Sequence, residues 1–275
     1  MPRFLLVGEV LWDALPRGLF LGGAPFNVAA HLQRLGEPVR LVTRVGADEL
    51  GREARRRIAA TGLDASGVQT DPSLPTGFVR VGVDASGDAR YDILAPAAWD
   101  AIAPPEAGAE VVVFGTLAQR DARSRAAIRG LWRGARVRVL DLNLRPPHVS
   151  PEVIEASLRA ADIVKLNAEE LKALREQFAL ASGGAMALRD LAERFSLASV
   201  CVTRGARGAR LLHDGEAFDH AGCAAEVRDT VGAGDAFLAA LLSGLFRGDP
   251  PADVLDRANR LGAQVAGVEG ALLPA

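Results

Sequence analysis

The chain has 275 residues, with 32 Lys and Arg against 34 Asp and Glu, a formal net charge of -2 and 49% hydrophobic residues. This composition is typical of a globular protein with a substantial core, and it excludes a miniature that needs disulfides or metals to fold. The near-neutral charge argues against a nucleic-acid partner, because nucleic-acid-binding domains carry a clustered basic excess.

Targeting and membrane signals are weak. The apolar run at residues 4–7 is too short for the core of a signal peptide, and the longest apolar stretch, 236–246, is too short to span a membrane. The two cysteines and four histidines follow no recognised metal-ligand spacing. We therefore expect a cytoplasmic protein without a membrane partner.

Short β-branched or leucine-rich runs alternate with longer amphipathic segments along the chain, as in a sheet covered by helices. The predicted strands are 3–9, 39–45, 110–114, 137–143, 162–167, 199–203 and 209–213. The predicted helices are 25–35, 48–61, 124–134, 151–160, 168–177, 185–195, 233–246 and 251–265. This order predicts an α/β fold with a doubly wound, mostly parallel sheet and helices on both faces.

One stretch departs from the alternation of strand and helix. Residues 76–84 and 88–94 read as two strands joined by Ala85-Ser86-Gly87, which predicts a β-hairpin. A hairpin inserted between a helix and the next core strand projects from the doubly wound body. It either packs at an edge or forms a lid over a cleft.

The strongest local motif is Asp-Thr-Val-Gly-Ala-Gly-Asp-Ala-Phe at 229–237, where a glycine-rich turn opens directly into a helix. The amides of Gly232, Ala233 and Gly234 would point outward at the helix N-terminus, an arrangement that binds anions. Asp235 is either a capping residue in the first turn or, beside a bound phosphate, a general base for an attacking hydroxyl.

Two other nucleotide motifs fit less well. The segment Gly232-x-Gly234-x-x-Phe237 nearly matches a dinucleotide fingerprint, but a second helix follows it rather than the strand that such a fold requires. Neither Lys165 nor Lys172 lies in a phosphate-binding loop of the Walker type. If ATP binds, it does so without a Walker lysine.

A second glycine cluster precedes the first predicted helix. Gly22 and Gly23 allow close approach of the backbone to a ligand, and Asn27 offers both a donor and an acceptor. Asp13 follows the first strand, at the edge of the sheet where open α/β folds bind ligands, and a carboxylate there suits two sugar hydroxyls. Taken alone, the glycine cluster would indicate an ordinary tight turn, and Asp13 would be an ordinary residue of a solvated loop.

Two further strand ends carry polar groups, Asp141-Leu-Asn-Leu-Arg145 and Asn167-Ala-Glu-Glu170. Asn167 and Glu170 form either a helix cap or a pair that orients water around Mg²⁺. Thr203, Gly205 and Gly208 suit an ordinary turn between two strands and also close approach to nucleotide phosphates.

Taken together, the segments resemble the ribokinase-like carbohydrate kinases, also called the PfkB family. Gly-Gly-Ala-Pro-Phe-Asn at 22–27 looks like the N-terminal signature of the family, and Asp-Thr-Val-Gly-Ala-Gly-Asp at 229–235 looks like its C-terminal one. The resemblance extends from Gly8 to about Gly270, with the order of motifs preserved. It implies one ribokinase-like kinase domain over residues 1–275, with a β-lid formed by about 10–21 and 76–98.

The resemblance also implies an ATP-dependent kinase of sugar hydroxyls that uses Mg²⁺, and it assigns roles to named positions. Asp235 would be the catalytic base, and the anion hole would be formed by Gly232, Ala233 and Gly234. The sugar would be held by Asp13, Gly22, Gly23 and Asn27, and Arg145 would reach the sugar or the transferred phosphate. Mg²⁺ would be organised by Asn167 and Glu170, the nucleotide would be contacted by Thr203, Gly205 and Gly208, and the adenine by Asn259.

Finer expectations follow from the same resemblance. Gly8-Glu-Val-Leu-Trp-Asp13 and Ala97-Ala-Trp-Asp100 look most like the fructokinase branch, although Phe26 departs from the small residue common at its position. A bound K⁺, held by carbonyls of 229–231 and 267–271, and a homodimer paired through the lid are both compatible with the family. Kinases of ribose, 2-keto-3-deoxygluconate or adenosine, a silent sugar-binding protein of the same fold, and a dinucleotide oxidoreductase remain alternatives.

Overall fold

The computed structural model describes residues 3–15, 18–83, 89–106 and 108–274, with the backbone alone for 81–83 and 89–91. The strands are β1 (Phe4–Val7), β2 (Leu11–Leu15), β3 (Gly18–Gly22), β4 (Val39–Gly46), β5 (Val68–Asp71), β6 (Gly77–Val83), β7 (Ala89–Ile93), β8 (Val111–Gly115), β9 (Val137–Asp141), β10 (Ile163–Asn167), β11 (Ser199–Thr203), β12 (Ala209–His213) and β13 (Glu216–His220). The helices are α1 (Ala24–Arg34), α2 (Glu49–Ala60), α3 (Ala122–Leu131), α4 (Pro151–Ala160), α5 (Ala168–Phe178), α6 (Gly184–Phe195), α7 (Ala233–Arg247) and α8 (Pro251–Ala266).

Nine strands form the main sheet, in the order β13-β12-β11-β10-β9-β8-β1-β4-β5. All neighbours are parallel except β11-β12 and β12-β13, which are antiparallel. Successive strand residues point to opposite faces, so the sheet has two cores. Leu5 and Val7 of β1 pack in one core with α3 to α6, whereas Phe4 and Leu6 pack in the other with α1, α2, α7 and α8. The predicted α/β class with helices on both faces is confirmed.

A second, four-stranded sheet has the order β3-β2-β6-β7. Its strands β6 and β7 pair antiparallel, as the hairpin interpretation requires, while the predicted turn Ala85–Gly87 lies outside the described residues. Hydrogen bonds fasten this sheet to the body, since Trp12 Nε1 donates to Leu50 O at 3.1 Å and Thr76 Oγ1 donates to Asp48 Oδ1 at 2.6 Å. The small sheet therefore stands beside the start of α2, which follows β4.

Four strands were absent from the predicted elements: β2, β3, β5 and β13. Three of them, β3, β5 and β13, are edge strands of their sheets. β5 and β13 are short and partly polar, which leaves little hydrophobic periodicity to detect. Other differences from the predicted bounds are small, such as β1 ending at Val7 and β9 at Asp141. Among the described residues, no helix is both long and apolar enough to cross a membrane.

Candidate active site

Helix α7 begins at the glycine-rich turn that the sequence singled out. Gly232 is its N-cap, with a φ of 77°, and a Cβ there would lie 2.5 Å from Ala271 Cα, so only glycine fits. The Ala233 N–H donates to Thr230 O at 3.3 Å. Within the described part of the chain, the amides of Gly232 and Gly234 have no acceptor. Two of the three predicted donors are thus available to an anion.

Asp235 lies half-buried in the first turn of α7, beside these amides. Its Oδ2 accepts a hydrogen bond from Asn27 Nδ2 at 2.7 Å, which joins the two glycine-rich motifs across 208 residues of sequence. The pKa of Asp235 is raised to about 6, chiefly by burial and next by the charge of Asp141, while Lys165 and Asn27 oppose the rise. Near neutral pH the carboxylate is ionised yet poised to accept a proton.

Asp13 and the paired glycines meet on the other side of Asn27. A Cβ on Gly22 would lie 2.8 Å from Asp13 Oδ2, and a Cβ on Gly23 would lie 2.4 Å from Glu9 O. Gly23 also has a φ of 110°, which side chains rarely adopt. Burial raises the pKa of Asp13 to about 6. Gly22 therefore clears the space into which the Asp13 carboxylate projects, and Gly23 lets the chain pass against the backbone of Glu9.

Arg145 is exposed, and its side chain makes one hydrogen bond among the described residues, from Nη1 to Leu144 O at 3.0 Å. Its charge nevertheless lowers the pKa of Glu9, Asp13 and Asp235, so the guanidinium faces all three acids. A cation placed this way can approach a bound substrate without breaking an existing ion pair.

Asn167 and Glu170 form the helix cap that the sequence offered as one of two readings. Asn167 Oδ1 accepts from Glu170 N at 2.9 Å, and Glu170 Oε2 accepts from Asn167 N at 2.8 Å, a capping box at the start of α5. Glu170 Oε1 accepts from Leu144 N at 2.7 Å and thereby fixes the loop that carries Arg145. The described residues contain no cluster of three acidic, His or Cys ligands. Both Glu170 oxygens already accept backbone hydrogen bonds, an arrangement that suits contact with a water ligand of Mg²⁺ better than direct coordination.

Lys165 and Asp141 form a buried ion pair that the sequence analysis did not assign. They face each other across the parallel β9-β10 register, with Lys165 Nζ 3.0 Å from Asp141 Oδ1. Nζ also lies 3.1 Å from where a Cβ on Gly234 would stand, directly behind the start of α7. The sequence does contain an indication of this buried charge, because Lys165 interrupts the apolar run Ile-Val-Lys-Leu.

A cavity of about 410 Å³ opens between α8 and the segment that leads into α7. Its lining residues are Cys223, Ala224, Ala225, Glu226, Arg228, Arg260, Ala263, Gln264 and Gly267. The size and position suit a nucleoside whose phosphates extend toward the α7 amides. Asn259, predicted beside the adenine, is buried and donates to Leu255 O at 2.7 Å within its own helix, so Arg260 and Gln264 take its place in the lining.

The predicted nucleotide turn borders this cavity without lining it. Gly205 and Gly208 both have positive φ, and Gly208 N donates to Gly205 O at 3.0 Å. A Cβ on Gly208 would lie 2.3 Å from Gly222 N, next to the cavity wall. Thr203 Oγ1 makes a long, 3.5 Å bond to Leu166 O at the end of β10. The turn therefore supports the segment that forms one wall of the cavity.

The two segments expected to supply carbonyls to a K⁺ ion lie side by side. The amides of Arg228 and Asp229 donate to Ala266 O at 2.8 and 3.2 Å, and Gly270 N donates to Asp229 Oδ2 at 3.2 Å. The two segments are therefore hydrogen-bonded to each other, adjacent to the α7 turn.

The fold and the site together define a kinase of small hydroxyl compounds, with an anion-binding helix start, a neighbouring acid and a separate nucleoside cavity. The chain belongs to the pfkB family of carbohydrate kinases, whose model matches residues 17–275.

Its similarity to individual proteins spans nearly the whole chain. A fructokinase from Escherichia coli is 28% identical over 97% of this chain and 94% of its own length. A fructokinase from Xylella fastidiosa with bound ATP superposes with a TM-score of 0.85 at 25% identity, over 98% of this chain and 94% of that one. A fructokinase double mutant from Vibrio cholerae O395, solved with fructose, ADP and potassium, superposes with a TM-score of 0.84 at 26% identity, over the same shares. An aminoimidazole riboside kinase from Salmonella typhimurium is 29% identical over 99% of this chain and 91% of its own length, so related proteins act on different substrates.

Proposed function

We propose that this carbohydrate kinase transfers the terminal phosphoryl group of ATP to the primary hydroxyl of fructose, giving fructose 6-phosphate. The Asn27–Asp235 hydrogen bond of 2.7 Å carries the proposal, because it brings the polyol-binding motif and the anion-binding helix start to one point. The fructokinases among its relatives support the choice of sugar.

The sugar site is built from Asp13, Asn27 and the space cleared by Gly22. The Asp13 carboxylate accepts hydrogen bonds from two adjacent hydroxyls. Asn27 Oδ1 is a buried acceptor with no partner among the described residues, so a sugar hydroxyl satisfies it. The carboxylates of Asp13 and Asp235 at this site favour a neutral polyol over an anionic sugar.

Asp235 removes the proton from the attacking hydroxyl as the new oxygen–phosphorus bond forms. The bond from phosphorus to the bridging oxygen breaks in line, ADP leaves with that oxygen's electron pair, and the proton stays on Asp235 until product release. The amides of Gly232 and Gly234 hold the oxygens on which negative charge accumulates. Arg145 approaches the transferred group from the solvent side.

ATP occupies the cavity lined by Arg260 and Gln264, and its phosphates run along the Gly232 turn. Mg²⁺, when bound, neutralises charge on the phosphates and orients them for in-line transfer. Glu170 and Asn167, at the start of α5, are the residues that would hold its water ligands. The four-stranded sheet acts as a lid, because its strands β2 and β3 carry Asp13 and Gly22 at the edge of the site.

A coupled assay for ADP release across a sugar panel tests the substrate. Fructose should give a kcat/KM at least about tenfold above those for ribose, 2-keto-3-deoxygluconate and adenosine, a preference worth about 1.4 kcal/mol. A higher value for any of these would reassign the substrate within the family. ADP release with none of them would favour the silent sugar-binding protein, and thermal protection by NAD instead of ATP would favour the dinucleotide enzyme.

A further inference from the structure

Helix α1 presents two buried polar side chains on one face, one turn apart. Asn27 is 3% exposed and His31 is 2% exposed, and residues four positions apart lie one above the other on a helix. Asn27 holds Asp235 at the start of α7. His31 takes no part in the sugar site, the nucleoside cavity or the proposed transfer step.

A buried hydrogen bond joins His31 to the segment that follows α8, since its Nε2 lies 2.9 Å from Ala271 O. A carbonyl oxygen only accepts hydrogen bonds, so the ring carries a proton on Nε2 and donates it. Among the described residues, this is the one hydrogen bond that Ala271 O accepts. The neighbouring Gly270 is held by a longer bond, from its N to Asp229 Oδ2 at 3.2 Å. His31 therefore fixes the position of Ala271.

Ala271 in turn lies against the N-cap of α7. A Cβ on Gly232 would lie 2.5 Å from both Cα and Cβ of Ala271 and 2.8 Å from Ala271 O, so the two residues are in direct contact. The Gly232 amide has no acceptor in the described part of the chain and is available to an anion. A shift of Ala271 would therefore move this amide or leave it less firmly held.

Helices α1 and α7 form a rigid frame for these contacts. Phe26 and Val28 of α1 and Phe237 and Leu241 of α7 are buried in the same core. Close-packed interiors deform little, so a group fixed to α1 is fixed relative to α7 as well. The two hydrogen bonds from α1 thus reach two parts of the α7 start, the acid in the first turn and the segment packed against the N-cap.

We propose that His31 is a positioning residue, which holds Ala271 against Gly232 and thereby aims the Gly232 amide at the phosphoryl group in transfer. The inference rests on the proposed function, in which that amide holds an oxygen where negative charge accumulates. A donor of this kind stabilises the transition state because it is placed before the reaction begins. Since His31 acts through Ala271, its loss should lower the rate of transfer more than it weakens binding.

The position of the amide is measured without catalysis in amide proton–nitrogen correlation spectra of the full-length protein, assigned by triple-resonance experiments. His31→Leu removes the donor at similar size and should shift the Gly232 amide signal. His31→Gln keeps an N–H at a similar distance from the backbone and should leave that signal near its wild-type position. His213→Gln should do the same, because His213 pairs with Ser199 at the start of β11, away from the carboxyl ends of the strands. An unmoved Gly232 signal in His31→Leu, or an equal shift in His31→Gln, would overturn the proposal even if the sugar kinase assignment holds.

Kinetics with the sugar that the enzyme phosphorylates then test the role. Outright removal of such a donor costs about 10²- to 10³-fold in kcat, so misplacing one should cost His31→Leu about tenfold. The KM for the sugar and the Kd for ATP should stay within about twofold, and His31→Gln should recover kcat to within about threefold of wild type. Calorimetry should find one ATP bound per chain in His31→Leu, and a lower stoichiometry would trace the loss to inactive protein and refute the role. A loss confined to KM, or the same loss of kcat in both variants, would also refute it.

Discussion

Replacing the proposed base should stabilise the protein while it removes activity. Asp235 is ionised at a half-buried position beside Asp141, and its pKa is raised from an ordinary 3.8 to about 6. A difference of about two pKa units costs the folded state about 3 kcal/mol once the group is ionised. Asn keeps an oxygen to accept the bond from Asn27, so Asp235→Asn removes the charge without breaking that contact.

The sign of the pH dependence follows from the raised pKa. Below about pH 4 the acid is neutral in both the folded and unfolded chains and costs nothing, whereas above about pH 6 the cost is complete. Urea denaturation should therefore show Asp235→Asn more stable than wild type by about 3 kcal/mol at pH 8, with the gain shrinking toward zero at pH 4.

A matched control is the exposed Asp253 in the first turn of α8. Asp253→Asn should change the free energy of unfolding by less than about 1 kcal/mol and toward lower stability, because it removes a favourable charge at a helix N-terminus. An Asp235→Asn variant that is no more stable than wild type at pH 8, or equally stabilised at pH 4 and pH 8, would refute the reasoning.

Three further predictions test the substrate and nucleotide sites. Asp13→Asn should raise the KM for the sugar about tenfold or more and leave the Kd for ATP within about twofold, and an equal loss for both would remove Asp13 from the sugar site. Iodoacetamide should label Cys223, which lines the proposed nucleoside cavity, and should spare Cys201, which is buried and has a pKa raised to about 12. ATP at ten times its Kd should slow the labelling of Cys223 about tenfold. Labelling at an unchanged rate would show that ATP does not bind in this cavity. Gly23→Ala should lower the free energy of unfolding by more than about 2 kcal/mol, since its Cβ would lie 2.4 Å from Glu9 O, and an unchanged urea midpoint would contradict that contact.

Local sequence patterns predicted the main sheet, its helices and the α7 turn, because each is encoded within one segment. Gly232 has a positive φ, which favours glycine at that position. The leucines after Asp235 repeat at helical spacing and so predict the helix. The edge strands β5 and β13 carry too few apolar residues to show a period of two. Their place in the sheet comes from pairing with β4 and β12 rather than from their own side chains.

The parts of the site that sequence alone did not assign depend on contacts between distant segments. Lys165 reaches Asp141 only because β9 and β10 are neighbours in a fixed parallel register. Glu9 is buried because α1 packs over it, with Gly23 against its carbonyl oxygen. Asn259 shows the opposite case, since its position on α8 is near the cavity while its side chain bonds within the helix. A residue's type indicates its chemistry, and packing decides whether that chemistry is available.

The central claim is that Asp235 takes the proton from the attacking hydroxyl. It is tested most directly by comparing wild type and Asp235→Asn in the single-turnover transfer of label from γ-³²P-labelled ATP to fructose. The account predicts that the variant transfers label about 10²- to 10⁴-fold more slowly and still binds ATP with a Kd within about threefold of wild type. Transfer at a rate near that of wild type would show that the acid beside the helix start does not take the proton.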